Sequence, residues 1–308
     1  MTTVGVLIAA RDAAGTVGRA VASALTQAAV SEVIVVDDGS ADDTAGQAWL
    51  RDDGTGRLIV LASEGNFGPS AARNRGLARS CADVVAVLDA DDYFRPGRIA
   101  AMMEVAGTDW DFVSDGLVML RDGQPIAAGQ LHDYRAEVGA DMLSAETFIA
   151  GNVSRRGRMR RELGFMKPLM RRGFLDATGL RYDKRLRLGE DFVLYAEALL
   201  RGAQFRLTPG CGYVAVWRPE SLSGRHSAED LSNLAQASLG LMRRADVTEP
   251  QRALLWKHAR SVMLRSDFRT ALDLKRQRRF LELAGFLTSN LRSIPYMIGE
   301  TTRAMSGV

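Results

Sequence analysis

The sequence predicts an α/β protein: a mainly parallel sheet with helices on both faces, followed by a helical C-terminal region. Three observations carry this. Strand-length apolar runs alternate with amphipathic segments over the first 88 residues, two of these runs end in acids, and from Leu231 onward the pattern is helical only. Val4–Ala10 reads as a first buried strand, and Val17, Ala20, Val21, Ala24 and Leu25 then recur at helical spacing. A second buried strand over 32–36 closes in Asp37-Asp38-Gly39-Ser40. A helix over 43–49, a strand over 58–61, a helix over 69–79 and a strand over 84–88 complete a β-α-β-α-β-α-β order, which calls for parallel strands covered by helices. Past Trp110 the regularity fades. Strands are expected over 111–115 and 117–120, a helix over 192–201, a short strand over 214–217 and a loop over 218–230. The chain thus divides into a half at 1–110, a second at 111–230, and a helical region at 231–308.

A content of 46% hydrophobic and 25% charged residues excludes a disordered chain. The two cysteines, Cys81 and Cys211, form no CxxC pair and have no histidine cluster, so neither a zinc site nor a disulfide framework is expected. Met1-Thr2-Thr3 leads straight into a strand pattern without a signal peptide, which predicts a cytoplasmic protein. The net charge of +3 hides an asymmetry. Residues 1–110 hold 9 Arg and no Lys against 15 Asp and Glu, net −6, and the remainder holds 31 basic and 22 acidic residues, net +9. No nucleic-acid motif or interleaved aromatics accompany the basic part, so nucleic acid is not expected as a partner. An anionic membrane surface or a phosphate-bearing lipid suits it better. No run of about 20 apolar residues could span a bilayer. Residues 252–303, with 11 Arg or Lys against 4 acids and with Phe280, Leu283, Phe286, Leu287, Leu291, Tyr296, Met297 and Ile298 among them, suggest peripheral binding at the inner membrane. A solvated helical face is the plainer alternative.

The run Val84-Val85-Ala86-Val87-Leu88-Asp89-Ala90-Asp91-Asp92 ends a buried strand in three carboxylates. Hard oxygen ligands suit Mg²⁺ or Mn²⁺, and Mg²⁺ is commonly held by one or two carboxylates with substrate phosphates completing its shell. An isolated Asp-Asp pair would more simply cap a helix. With a sugar nucleotide as ligand, each strand end gains a task. Asp38 would accept from the uracil imide, Arg11 would stack on the base, Asp89 would face the ribose, and Asp91 would hold the metal. Ala9 and Ala90 flank these positions, and Arg73 sits on a helix that could approach the base and phosphates. Glu190-Asp191 follows Gly189 at a helix start, where capping competes with a second reading: Asp191 as the base that takes the acceptor proton. Attack opposite the leaving diphosphate would invert the anomeric centre. Arg155, Arg156, Arg158, Arg171 and Arg172 lie in a strongly basic segment suited to an acceptor diphosphate or anionic lipid, or to plain solvation.

Asp37-Asp38-Gly39-Ser40-Ala41-Asp42-Asp43-Thr44, Asn66-Phe67-Gly68 with Ala72-Arg73-Asn74-Arg75-Gly76, Leu88-Asp89-Ala90-Asp91-Asp92 and Gly189-Glu190-Asp191 occur in the order and approximate spacing of family-two inverting glycosyltransferases. Over about the first 205 residues the chain resembles that family. The resemblance implies a GT-A fold, a nucleotide-sugar donor, a divalent metal at Asp91 and a base at Asp191. The stretch from Gly151 to Arg172 is also similar to bacterial succinoglycan-type exopolysaccharide glucosyltransferases. Two departures stand out. The family usually has Pro-Ala-Tyr-Asn after its first strand, where this chain has Ala9-Ala10-Arg11-Asp12. The Gln-x-x-Arg-Trp motif of processive synthases is absent, which points to addition of one sugar.

The expectation is an inverting, metal-dependent hexosyltransferase that moves glucose from UDP-glucose to a lipid-linked saccharide, a polyprenyl-diphosphate oligosaccharide, in exopolysaccharide synthesis. A sugar nucleotidyltransferase is one alternative, although it would place a Gly-rich basic loop after the first strand. A non-catalytic membrane-associated binding protein is the other, and the presence of both Asp91 and Asp191 weighs against it.

Overall fold

The computed structural model describes residues 2–153, 163–218 and 226–306. Its first half follows the expected alternation: β1 (Val4–Ala10), α1 (Val17–Leu25), β2 (Val30–Asp37), α2 (Thr44–Trp49), β3 (Leu58–Ala62), α3 (Pro69–Arg79) and β4 (Val84–Val87). β1 pairs in parallel with β2 and β4, and β2 with β3. The residues that recur on α1 at helical spacing are those it buries: Val17, Ala20, Val21, Ala24 and Leu25. Because β1 and β4 are covered on both sides, they read as continuous apolar runs.

The second half adds β5 (Tyr93–Phe94), α4 (Arg98–Ala106), β6 (Phe112–Arg121), β7 (Gln130–His132), α5 (Tyr134–Val138), α6 (Ala145–Gly151), β8 (Leu169–Arg171), α7 (Arg172–Thr178), α8 (Glu190–Leu200) and β9 (Phe205–Trp217). The strands form one sheet in the order β3-β2-β1-β4-β8-β6-β9-β5, with β7 on β6. The parallel arrangement holds through β4. Beyond it the sheet is mixed, since β8 lies antiparallel to both β4 and β6, and β5 to β9.

Two sequence expectations change here. The strands foreseen over 111–115 and 117–120 are one strand, β6, and the one foreseen over 214–217 begins at Phe205. Both departures have one cause. Ser114 pairs with Leu207 but Gly116 with Cys211, so β9 carries extra residues around Pro209-Gly210, whose turn-like character hid the strand. Gly116 is required at this irregularity, because a Cβ there would lie 2.3 Å from the His132 carbonyl oxygen.

The C-terminal region is α9 (Ala228–Met242), α10 (Glu249–Arg276), α11 (Phe280–Ser289) and α12 (Ile294–Ser306). α9 starts inside the expected loop, where Ser227 and Asp230 form a reciprocal capping box. The rest of that loop, 219–225, lies outside the described residues. A single hydrophobic cluster extends from Val4 to Val262, so the three sequence segments share a core. Phe112 stacks on Phe205 at 5.5 Å, and Phe148 on Phe192 at 5.5 Å. Phe192 in turn stacks on buried His258 of α10 at 4.0 Å. This aromatic column fixes the first turn of α8 against both the sheet and the C-terminal helices.

Candidate active site

The C-terminal ends of the parallel strands hold the candidate residues, as expected of open α/β sheets. The β4 end is built around buried charge. Arg73, on α3, donates from Nη2 to Asp89 Oδ1 at 2.7 Å and from Nη1 to Glu190 Oε1 at 2.6 Å and Asp191 Oδ1 at 3.2 Å. Lys167 completes the cluster, with Nζ at 2.8 Å from Asp89 Oδ2 and 2.8 Å from Asp191 Oδ2. Three carboxylates from two distant segments are therefore clasped by two cations from two others.

Local structure explains how they meet. α3 starts at Pro69, a good first helical residue, and Asn74 one step past Arg73 locks the helix to the segment before α8. Its Nδ2 donates to the Tyr182 carbonyl at 2.8 Å, and its Oδ1 accepts from Tyr182 N at 3.0 Å. Gly189 precedes α8 in the left-handed region, with φ +70°, and a Cβ there would stand 2.7 Å from Leu234. That turn delivers Glu190 and Asp191. The N-cap residue, Gly189, has no side chain to cap the helix, and both Asp191 oxygens go to cations.

Burial alone would disfavour every charge here. For Asp89 the attraction of Lys167 and Arg73 outweighs burial and holds the carboxyl well below the usual carboxylate range. Burial likewise opposes the Lys167 ammonium, but Asp191 and Asp89 raise its pKa overall. Glu190 goes the other way: burial pushes it up, Arg73 only partly offsets this, and neighbouring Asp191 adds to it. Asp92 is also pushed up, first by burial and then by Asp89 and Asp91. Its carboxyl accepts from the Tyr213 hydroxyl at 2.6 Å and from Val216 N at 2.8 Å, while Asp89 N donates to the same Tyr213 hydroxyl at 3.2 Å. Asp92 and Tyr213 thus tie the strand-end turn to β9.

Asp91 is half-buried in that turn, and its backbone carbonyl accepts from Arg19 at 2.7 Å. Among the described residues no group of three or more His, Cys, Asp or Glu side chains is arranged to hold a metal ion. Asp89 is engaged by Arg73 and Lys167 and Asp92 by Tyr213 and Val216 N, and Asp91 stands between them on the same turn. One carboxylate fits an Mg²⁺ or Mn²⁺ ion that also binds substrate phosphates, not a metal held by protein alone.

Beside this cluster, over the ends of β2 and β3, lies a cleft of about 460 Å³ lined in part by Asp38, Ser63, Phe67, Ala72 and Arg75. α3 divides the two, presenting Ala72 and Arg75 to the cleft and Arg73 to the carboxylates. Asp38 is buried, and its oxygens accept from Phe67 N at 3.0 Å and Gly68 N at 2.7 Å. Each carboxylate oxygen retains a second lone pair. Phe67 is 62% exposed and is an aromatic surface that sequence reasoning passed over.

The remaining candidates divide. Ala9, half-buried, pairs with Val36, and Ala90 is buried beside Asp89. Arg11 is exposed next to Asp12 and does not line the cleft. Arg73 is buried against the carboxylates and lies over the Tyr182 ring at 5.3 Å. Arg171 and Arg172 stand at the other edge of the sheet, since Arg171 pairs with Val84, the first residue of β4. Arg171 lies over Trp110 at 4.4 Å and donates to the Thr108 carbonyl; Arg172 donates to the carbonyls of Ala82 and Leu77. Both are structural there, which removes them from the acceptor side. Arg155, Arg156 and Arg158 lie outside the described residues. Lys167 went unrecognised within the same basic segment. Its signal was a lysine flanked by Met166 and by Pro168-Leu169-Met170, in a chain with only four lysines among 40 basic residues.

The sequence pattern of glycosyl transferase family 2 matches residues 5–170. The chain is 43% identical over 298 residues to the succinoglycan biosynthesis protein ExoU of Rhizobium meliloti (strain 1021), covering 97% of this chain and 86% of the relative. It is 35% identical over 241 residues to ExoO of the same organism, covering 77% of this chain and 67% of that protein. Among solved structures, S. aureus TarS in complex with UDP-GlcNAc superposes with a TM-score of 0.66 at 18% identity, covering 93% of this chain and 81% of TarS. The mannosyltransferase PcManGT from Pyrobaculum calidifontis, in complex with GDP-Man and Mn²⁺, gives 0.58 at 14% identity, covering 98% and 80%. These structural likenesses establish the fold as GT-A.

The charge cluster generates a prediction. Removing one partner of a buried ion pair typically costs about 3–5 kcal/mol, so Arg73→Met should destabilise the chain by about that much near neutral pH. The sign of its pH dependence follows from Glu190. With its main counter-charge gone, a carboxyl already raised above 4.5 rises further, and the folded variant holds a proton that the unfolded chain releases. The variant should therefore lose stability relative to wild type as pH rises from below 4.5 toward neutrality. In wild type the Asp89 contribution is present above 3.8 and is lost as pH falls toward its depressed folded value. Denaturant unfolding of both proteins across this range checks it, and a stability gap that stays constant with pH would be the contrary result.

Proposed function

Because the chain belongs to glycosyl transferase family 2, we propose that it is an inverting hexosyltransferase that moves glucose from UDP-glucose onto a polyprenyl-diphosphate-linked oligosaccharide in bacterial exopolysaccharide synthesis. The observation that carries the reading is the junction of Asp89, on the strand-end turn, with Asp191, on α8, through shared cations beside a cleft of nucleotide size. The names of the two succinoglycan relatives support the polymer, and the UDP-GlcNAc complex of TarS supports a UDP-sugar.

Residues 1–110 supply the donor side. Asp38 accepts from the base at the cleft, Phe67 offers a stacking face in place of the missing strand-end aromatic, and Asp89 takes the ribose. Asp91 would hold Mg²⁺ or Mn²⁺, which supplies charge neutralisation for the departing nucleoside diphosphate. Residues 111–230 supply the acceptor side. Asp191 takes the proton of the acceptor hydroxyl as that oxygen attacks the anomeric carbon, and Arg155, Arg156 and Arg158 are left as the basic groups for an acceptor phosphate. Membership of the family sets aside the nucleotidyltransferase alternative.

Residues 231–308 serve as a peripheral anchor at the inner membrane face. No helix among the described residues is long and apolar enough to cross a bilayer. α11 is Phe-Leu-Glu-Leu-Ala-Gly-Phe-Leu-Thr-Ser, yet none of its residues is buried. Phe280 and Leu281 are 61% and 91% exposed, and Leu291 and Ile298 are also exposed, while Arg278, Arg279 and Arg292 supply positive charge nearby. Met297 turns inward and is not part of this surface. An apolar helix on a basic background suits an anionic lipid surface.

Two substitutions separate binding from chemistry. Asp91→Asn should abolish the metal-dependent part of UDP affinity in calorimetric titration with Mn²⁺, with the fold unchanged. Asp191→Asn should leave UDP affinity intact and lower turnover by about 10²- to 10⁴-fold, the usual contribution of a general base. If Glu190→Gln is instead the variant that loses turnover, the base is misassigned. For the anchor, co-sedimentation should require anionic vesicles, weaken with salt as screening shortens to about 8 Å at physiological ionic strength, and fall in Leu281→Asp. Binding indifferent to lipid charge would contradict it.

A further inference from the structure

We propose that Lys167 is the positioning residue of the transfer step: by binding one oxygen of Asp89 and one of Asp191 it sets the spacing between donor and acceptor sides, and it leaves Asp191 Oδ1 as the oxygen that receives the proton. This rests on the reading of Asp191 as base. The two Asp191 oxygens are held unequally. Oδ2 is 2.8 Å from Lys167 Nζ, whereas Oδ1 has only a 3.2 Å contact with Arg73 Nη1, whose shorter bond of 2.6 Å goes to Glu190. Oδ1 is thus the more weakly committed oxygen. In the balanced step, the acceptor O–H proton passes to Oδ1, the freed oxygen forms its bond to the anomeric carbon, and the bond from that carbon to the diphosphate oxygen breaks. The electron pair leaves with the nucleoside diphosphate.

Lysine is suited to this place. Lysines are almost never fully buried unless paired, and the Lys167 side chain is only 7% exposed. Its compact ammonium has three donors at one point, so it can bridge carboxylates from two elements. Its backbone is also fixed. The Lys167 carbonyl accepts from buried Arg98 Nη2 at 2.6 Å, Arg98 pairs with Asp115 at 2.7 Å, and Asp115 accepts from Gly212 N at 2.7 Å. The ammonium is therefore held at both ends, by α4, β6 and β9 through its main chain and by the two aspartates through its head. Support of this kind keeps a reacting group within the narrow tolerance catalysis needs. The metal-and-base scheme proposed above uses Asp91 and Asp191 but gives no role to this bridge.

The test uses the full chain with UDP-glucose and Mn²⁺, following UDP release with water as acceptor, in wild type, Lys167→Met, Asp191→Asn and the double variant. Lys167→Gln serves as a second version, and thermal unfolding with circular dichroism establishes that each protein is folded. Lys167→Met or Lys167→Gln should lower kcat by about 10- to 100-fold, the scale of a misplaced reacting group, with KM for UDP-glucose changed less than about twofold. A purely structural role would instead move stability and KM. The double variant should be no slower than Asp191→Asn alone, because Lys167 acts through Asp191. Losses that multiply in the double variant, or folded Lys167 variants with wild-type kcat beside a slow Asp191→Asn, overturn the inference and leave the base in place. Wild-type kcat in Asp191→Asn overturns the base reading and the inference with it.

Discussion

Five charges gathered at one point, with Arg73, Lys167 and Asp191 buried and Asp89 and Glu190 half-buried, organise this protein. Arg73 and Lys167 hold Asp89, Glu190 and Asp191, drawing together α3, the turn after β4, the segment before β8 and the first turn of α8. Removing that many charges from water is costly, and the attraction between them offsets the cost only when the geometry is fixed and the remaining valences are filled. Much of the surrounding structure supplies that fixing. Asn74 pins α3 to Tyr182, Arg98 and Asp115 fix the backbone of Lys167, and Tyr213 with Asp92 anchors the turn that carries Asp89 and Asp91. The cluster also ties the first half of the chain, through Arg73 and Asp89, to the second, through Lys167, Glu190 and Asp191.

The same constraint accounts for residues that otherwise look incidental. Gly189 has to adopt a left-handed turn, at a place where a Cβ would stand 2.7 Å from Leu234, for Glu190 and Asp191 to point at the cations. The aromatic column from Phe112 to His258 holds the first turn of α8 from behind. Through it the C-terminal helices support the site, although they contribute no charge to it.

The parallel half was legible because its physics is local. Buried strands with no solvent face read as unbroken apolar runs, and each helix between them shows its face by spacing. The acids at the strand ends and after Gly189 were legible for the same reason. The mixed half was not, since β9 crosses Pro209-Gly210 and short strands such as β5 and β8 exist only through pairing with distant segments. Charge was the hardest feature to read. Within 155–172 Lys167 and Arg171 look alike as sequence, yet one is buried in the carboxylate cluster and the other packs on Trp110 at the opposite sheet edge. Arg73 was noticed as a site residue but its carboxylate partners were not foreseen, because a helical arginine shows nothing of which carboxylates lie across from it.

A base on one side of the anomeric carbon and a departing diphosphate on the other leave a stereochemical record. Single displacement demands inversion, whatever the sugar or acceptor. The most direct measurement is therefore the anomeric configuration of the product formed from UDP-α-glucose, read by proton NMR during turnover before mutarotation. A β product is the result this account predicts. An α product would mean that neither Asp191 nor its clasp of cations acts as described.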